Sequence, residues 1–170
     1  MSVRFWAGGV AMMLCAQAAH ANPDLAIDPE RLKALLPAAW AGVERRNVEV
    51  KRNIAGQKNS VAEAYYKGGG SGGQLELVFR LTDPGAYAAK MYKDYGADYL
   101  KGEVKNDTQK TLVISGRRLL LTQATASSFS IQTQVGGRWT VELNCMKAAE
   151  AQCVDTLGKL DWAKLEQLKP

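Results

Sequence analysis

From Val43 to Thr82, and again from Thr111 to Cys145, the apolar side chains recur at every second position, in short runs broken by glycine-bearing turns, and this period of two commits those stretches to β-strands. Val43 to Arg52 places Val48 and Val50 on one face and Arg45, Glu49 and Lys51 on the other, so one side of that strand meets water. Ser60 to Lys67 and Gln74 to Thr82 flank the run Gly68-Gly69-Gly70-Ser71-Gly72-Gly73. Pairing Lys67 with Gln74 sets Tyr66, Ala64 and Ala62 against Leu75, Leu77 and Phe79, small residues facing large ones on one buried face. The glycine run reads as a flexible hairpin tip. A phosphate-cradling loop needs G-x-x-x-x-G-K-[ST] opening into a helix, and this run opens into the strand Leu75 to Leu81.

The second half continues the pattern. Thr111 to Ile114 and Arg117 to Thr122 surround Ser115-Gly116, a two-residue hairpin turn, and Leu119-Leu120-Leu121 reads as a central strand covered on both faces. Phe129 to Thr133 and Trp139 to Cys145 form the last hairpin. A two-residue Gly136-Gly137 turn would set Ile131 against Glu142. A three-residue loop, Val135-Gly136-Gly137, instead pairs Phe129 with Leu143, Ile131 with Val141 and Thr133 with Trp139, and it calls for a left-handed glycine.

Helix signals lie at the start, middle and end. Asp28-Pro29-Glu30 caps a helix bearing Leu32, Leu35 and Leu36 and closed by Pro37. Asp83-Pro84 opens a helix over 84–101, with Ala88, Met91, Tyr92, Tyr95 and Tyr99 on one stripe that suits core packing or, alternatively, the wall of a groove. Ala148 to Leu160 carries Cys153, and Asp161 caps a last helix, Trp162 to Leu168. The expected class is therefore α+β: an antiparallel sheet of about six or seven strands flanked by N-terminal, central and C-terminal helices. With 46% hydrophobic and 23% charged residues and no internal repeat, residues 22–170 form a single domain.

Residues 1–21 read as a signal peptide: Arg4, an apolar stretch from Phe5 to Ala16, then Ala19-His20-Ala21 as the cleavage site. The apolar stretch is shorter than the ~20 residues that cross a bilayer, so no stable membrane insertion is expected after cleavage. Leu14 stands before Cys15, where a lipidated cysteine needs a small residue. The expected location is the periplasm. Cleavage removes His20, the single histidine, and with it Ser-His-Asp and Cys-His nucleophile systems and the commonest ligand of catalytic metals. No metal or cofactor is expected. Cys145 and Cys153 remain in an oxidising compartment, and their seven-residue spacer is no C-x-x-C motif, so a structural disulfide is expected.

The net charge of +5 is too small and too dispersed to mark a nucleic-acid footprint. Arg45, Arg46, Lys51, Arg52 and Lys58 do concentrate in the first long strand and its turn, with Arg117 and Arg118 at another turn. Such cations suit an acidic envelope protein or an anionic envelope polymer. Glu63 and Glu76 form the competing enzymatic signal. The hairpin puts both on the face opposite Leu77, with Tyr65 across from Glu76 and Val78 across from Glu63. Held roughly 5 to 9.5 Å apart, two such acids serve as a glycosidase pair.

Leu35-Leu36-Pro37, Leu81-Thr82-Asp83 and Leu160-Asp161-Trp162-Ala163-Lys164-Leu165, in that order, resemble an uncharacterised class of small secreted proteobacterial proteins. The arrangement is also similar to the PsbP/Mog1-like fold, which implies an antiparallel sheet flanked by helices and a binding role, and supplies no functional residues. The expectation is a non-enzymatic periplasmic binding protein. The alternative is an inhibitor or immunity-type protein whose mobile tip, Lys67 to Gln74, enters the cleft of a hydrolase or toxin. A carboxylate glycoside hydrolase ranks third.

Overall fold

The computed structural model describes residues 26–40, 42–52, 58–70, 73–86, 88–90 and 101–168. The expected signal peptide lies outside these residues, as does the greater part of the helix expected over 84–101, of which residues 85, 86, 88–90 and 101 are helical. The chain runs through α1 (Pro29–Lys33), β1 (Ala39–Trp40), β2 (Val43–Arg52), β3 (Ser60–Gly70), β4 (Gly73–Asp83), β5 (Gln109–Ile114), β6 (Arg117–Thr125), β7 (Ser128–Val135), β8 (Trp139–Met146), α2 (Glu150–Gly158) and α3 (Trp162–Glu166). All eight strands join one antiparallel sheet in the order β1-β2-β3-β4-β8-β7-β6-β5. Two four-stranded meanders thus meet along the β4·β8 seam.

This overturns the expected α+β class: the protein is mostly β, one eight-stranded sheet with small helices, rather than six or seven strands flanked by three helices. One cause is β1, two residues long and invisible to any periodicity. Trp40 anchors it, buried with its ring 4.7 Å from Phe79 and edge-on to Tyr66 at 5.8 Å. The Tyr66 hydroxyl donates to the Pro37 carbonyl at 2.8 Å and fixes the path into β1. A second cause is that α1 and α3 are each five residues long. Asp28 accepts from the Glu30 N–H at 3.1 Å and Asp161 from the Lys164 N–H at 3.0 Å, so the caps fall where the pattern placed them while the helices stop early.

The core lies on the helix-covered face. Ala62, Ala64, Tyr66, Leu77, Phe79, Leu81, Ile131, Val141 and Leu143 are buried there beneath Leu32 and Leu36 at one end and Leu157, Trp162 and Leu165 at the other. The hairpin registers differ from expectation by two residues. Tyr66 faces Leu77 and Ala64 faces Phe79, and the strands pair through the glycine run as far as Gly70 with Gly73. The long mobile tip is therefore replaced by ladder. In the last hairpin Ile131 faces Leu143 and Val135 faces Trp139, leaving Gly136, Gly137 and Arg138 as the three-residue loop, with both glycines at positive φ (61° and 67°). A slip of two residues keeps every side chain on its face, so the buried sets remain as expected. Ser115 (φ 51°) and Gly116 (φ 76°) form the expected turn between β5 and β6. Leu119, Leu120 and Leu121 are buried, but β6 is second from the sheet edge rather than central.

Candidate binding surface

The face away from the helices carries the polar side chains of the strand alternation, and its best-connected group crosses β3, β4 and β8. Glu63 pairs in register with Arg80, and Arg80 with Glu142. Arg80 Nε donates to Glu63 Oε2 at 2.5 Å, and its Nη1 lies 3.4 Å from Glu142. The Tyr65 hydroxyl donates to Glu63 Oε1 at 2.5 Å, and Asn144 donates to Glu142 at 2.8 Å. Glu63 is 5% exposed. Burial pushes its carboxyl upward, but the hydrogen bonds from Tyr65 and Arg80, with the charges of Arg80 and Lys51, hold it below its ordinary value. The bond to Glu63 raises the Tyr65 phenol in turn. The sequence shows the outer parity of these residues, but only the true register brings Arg80 against Glu63.

That register also separates the two carboxylates. Glu63 faces Arg80 and Glu76 faces Lys67. Four strand positions at ~3.3 Å each put them about 13 Å apart along the strand, beyond the span of a glycosidase pair. Glu76 is engaged by Lys147 at 2.9 Å and Lys67 at 3.5 Å, and the Lys147 hydrogen bond and charge hold it below its usual range. A general acid needs its proton at working pH, so neither lowered carboxyl suits that one of the pair's two roles. Among the described residues no group of three His, Cys, Asp or Glu side chains is placed to hold a metal ion.

The cations singled out in the sequence lie on and just after β2. A bulge between Arg45 and Asn47 changes the side-chain parity, so Arg45 shares the inner face with Val48 and Val50, whereas Glu49 and Lys51 point outward. Arg45 Nη1 donates to the Leu36 carbonyl at 3.0 Å beneath α1. Arg46 pairs with Glu44 at 3.4 Å, Lys51 with Glu49 at 2.8 Å, and Arg52 with Asp28 at 3.6 Å. The Glu49 hydrogen bond and charge raise the Lys51 ammonium. Lys58 is exposed just before β3. These residues thus follow one edge of the sheet but occupy both of its faces. Arg117 packs over the Trp162 ring at 5.1 Å and pairs with Glu166, while Arg118 donates to the Gly102 carbonyl at 3.1 Å.

Cys145 and Cys153 form a disulfide with Cα atoms 6.0 Å apart, as the sequence leads one to expect, and it ties β8 to α2. Asp83, read in the sequence only as the opening of the 84–101 helix, stands at the end of β4. It is fully buried and receives Arg138 Nε and Nη2, each at 2.8 Å, the Ile27 N–H at 2.7 Å and the Gly85 N–H at 2.9 Å. No family model matches the chain, and no curated protein or solved structure matches it significantly.

Proposed function

We propose that this chain is an exported, non-enzymatic binding protein of the cell envelope that recognises an anionic partner through the cation-rich sheet edge at β2. The observation that carries this reading is the gathering of Arg45, Arg46, Lys51, Arg52 and Lys58 along β2, next to the sheet edge, and its sequel, against Asp28, Glu44, Glu49 and Glu63 within reach. Positive potential on one edge attracts acidic surfaces from solution and orients them on approach. The catalytic alternative draws no support from its two carboxylates, which are far apart, ion-paired and shifted toward the charged form.

Affinity capture tests the proposal. Protein produced with its own leader and purified after export is immobilised, exposed to envelope extract, and washed with increasing salt. An acidic species retained at low salt and released at high salt is the expected result, with retention reduced in an Arg46→Glu/Lys58→Glu variant. Hydrolysis of an envelope polymer by the purified protein, abolished by Glu63→Gln, would overturn it.

A further inference from the structure

We infer that the second half of β5 is a self-association edge, at which a second copy of this chain pairs antiparallel about Val113. This edge lies at the opposite end of the sheet from β2 and stands apart from the binding role proposed above. Only the first half of β5 is closed. There the Asn106 N–H donates to the Gln109 carbonyl at 2.8 Å and the Thr111 N–H to the Val104 carbonyl at 2.8 Å. The Val104 N–H then goes to the Thr111 hydroxyl at 2.8 Å, not to the Thr111 carbonyl, so the covering segment leaves the ladder at that residue. Among the described residues no strand pairs with the outer side of β5 beyond it.

The direction of the remaining backbone groups follows from the bond to Val104. The Thr111 N–H points away from β6, so alternation turns the N–H and C=O of Val113 outward as well, while Leu112 and Ile114 bond to β6. The Val113 side chain stands on the outer face of the sheet and is 68% exposed, more than any other large apolar residue described. Leu112 and Ile114 lie half-buried against the core on the inner face. Sheet edges are ordinarily blunted by charge, proline or a bulge. Residues 111–115, Thr-Leu-Val-Ile-Ser, carry no charge and no proline, and their register with β6 is unbroken.

The same groups select the occupant and its register. With the Thr111 N–H already bonded, a twofold axis through Val113 matches the outward groups, each Val113 N–H meeting the carbonyl of the other. Val113 then faces Val113 of the second copy on the outer side, and Leu112 faces Ile114 of the second copy on the inner side, apolar against apolar. No like charges meet. Arg118, across from Val113 on β6, donates to the Gly102 carbonyl, and three strand spacings of ~4.8 Å hold it about 14 Å from its counterpart, beyond the ~8 Å screening length at physiological salt. Lys110 and Arg117 stand on the inner face, paired with Glu150 and Glu166. A neutral apolar edge gives a charged strand nothing to read, whereas a second copy supplies the matching edge at the protein's own concentration. The contact is small, so the dimer is weak and reversible. It leaves both β2 edges at the outer ends of the joined sheet.

The test is sedimentation equilibrium of the exported, purified protein from about 10 μM to 1 mM, the range of a weak dimer. The average mass should rise with concentration toward that of two chains and should persist in high salt, unlike capture of an anionic partner. Over the same range hydrogen exchange should show the Val113 amide becoming protected, since its N–H has no partner among the described residues of one copy. Val113→Lys sets two ammonium groups against each other across the twofold at a position that already faces water. It should raise the dimer dissociation constant at least about tenfold with the circular dichroism unchanged, while Val113→Thr still dimerises. A single-chain mass at every concentration, a mass that grows past two chains, or a dimer indifferent to Val113→Lys overturns the inference. So does a dimer whose Val113 amide stays unprotected, a readout on the wild type that stands even if a variant fails to fold. Arg46→Glu/Lys58→Glu should leave the mass unchanged, which keeps dimerisation and anionic binding separate. Loss of the dimer in that variant would place the contact at β2 and overturn the inference.

Discussion

Gly68 shows how a single missing side chain sets the packing of the first meander. A Cβ there would stand 3.0 Å from the Gly42 carbonyl oxygen and the Val43 Cα, and 3.1 Å from Val43 Cγ1. Two of those atoms are backbone and cannot swing aside, so Gly68→Ala should cost about 1–3 kcal/mol in urea unfolding by forcing β2 away from β3. Glu63 acts through charge instead. Its carboxyl is lowered from an ordinary value near 4.5, so the folded state binds its proton less readily than the unfolded chain does. The stabilisation is complete above the ordinary value and disappears as pH falls through the lowered one. Glu63→Gln should cost about 1 kcal/mol at neutral pH, a modest figure because Arg80 is 42% exposed and water screens the pair. The gap between variant and wild type should then close in acid, as read by urea midpoints across the acid range. Tyr66 carries the opposite sign. Burial pushes its phenol up to about 12, so its contribution is full below the ordinary value of 10.0 and is lost as pH rises through about 12. Tyrosinate absorbance should show a phenol titrating near 12 that is lost in Tyr66→Phe, while the raised Tyr65 phenol persists.

Among the elements, the disulfide that joins β8 to α2 has the clearest energetic role. Cys145 and Cys153 are buried at 1% and 0% exposure, and closing the eight-residue separation is worth about 2.5 kcal/mol on the chain-entropy model. A Cys145→Ala/Cys153→Ala variant should lose about that much in urea unfolding, with α2 exchanging its amide hydrogens faster while the β3·β4 ladder is unchanged. This bridge was legible because the expected leader takes Cys15 with it, which leaves Cys145 and Cys153 one pairing in the oxidising compartment that the leader implies. Strand existence was legible for a similar reason, since alternation survives any even slip. Register was not. Phe129 facing Leu143 and Phe129 facing Cys145 bury equally apolar neighbours, and only the loop geometry at Gly136-Gly137-Arg138 distinguishes them. The bulge at Arg46 was silent too, because an extra residue leaves the composition of β2 intact while reversing which face Arg45 occupies. The glycine run was misread for want of a partner: without side chains it carries no alternation, yet its backbone pairs through to Gly70 and Gly73. The cation cluster, by contrast, could be counted directly, and only its division between two faces required the fold.

For the molecule as a whole, the question is whether two meanders joined along one seam behave as one cooperative unit. The seam is apolar on the helix-covered face, where Leu77 faces Cys145, Phe79 faces Leu143 and Leu81 faces Val141. Its end is fastened by Asp83, fully buried, and Arg138, whose side chain is 13% exposed. The same carboxylate receives the Ile27 N–H, so the first meander, the last hairpin and the segment entering α1 share one anchor. Removing one partner of a buried pair costs about 3–5 kcal/mol because the other stays desolvated. Asp83→Asn should therefore destabilise by about 3 kcal/mol, and a double-mutant cycle with Arg138→Met should recover part of that loss. Apart from Trp6 in the expected leader, the tryptophans report the two halves separately, Trp40 in β1 and Trp139 and Trp162 in the second half. If the seam couples them, fluorescence of a variant retaining only Trp40 and of one retaining only Trp139 will give coincident urea transitions, both matching far-ultraviolet circular dichroism. In Asp83→Asn the two curves should still coincide at a lower midpoint, because the apolar ladder remains. Separation of the curves in the wild type would mean that β4·β8 is a contact between two folding units and not the centre of one.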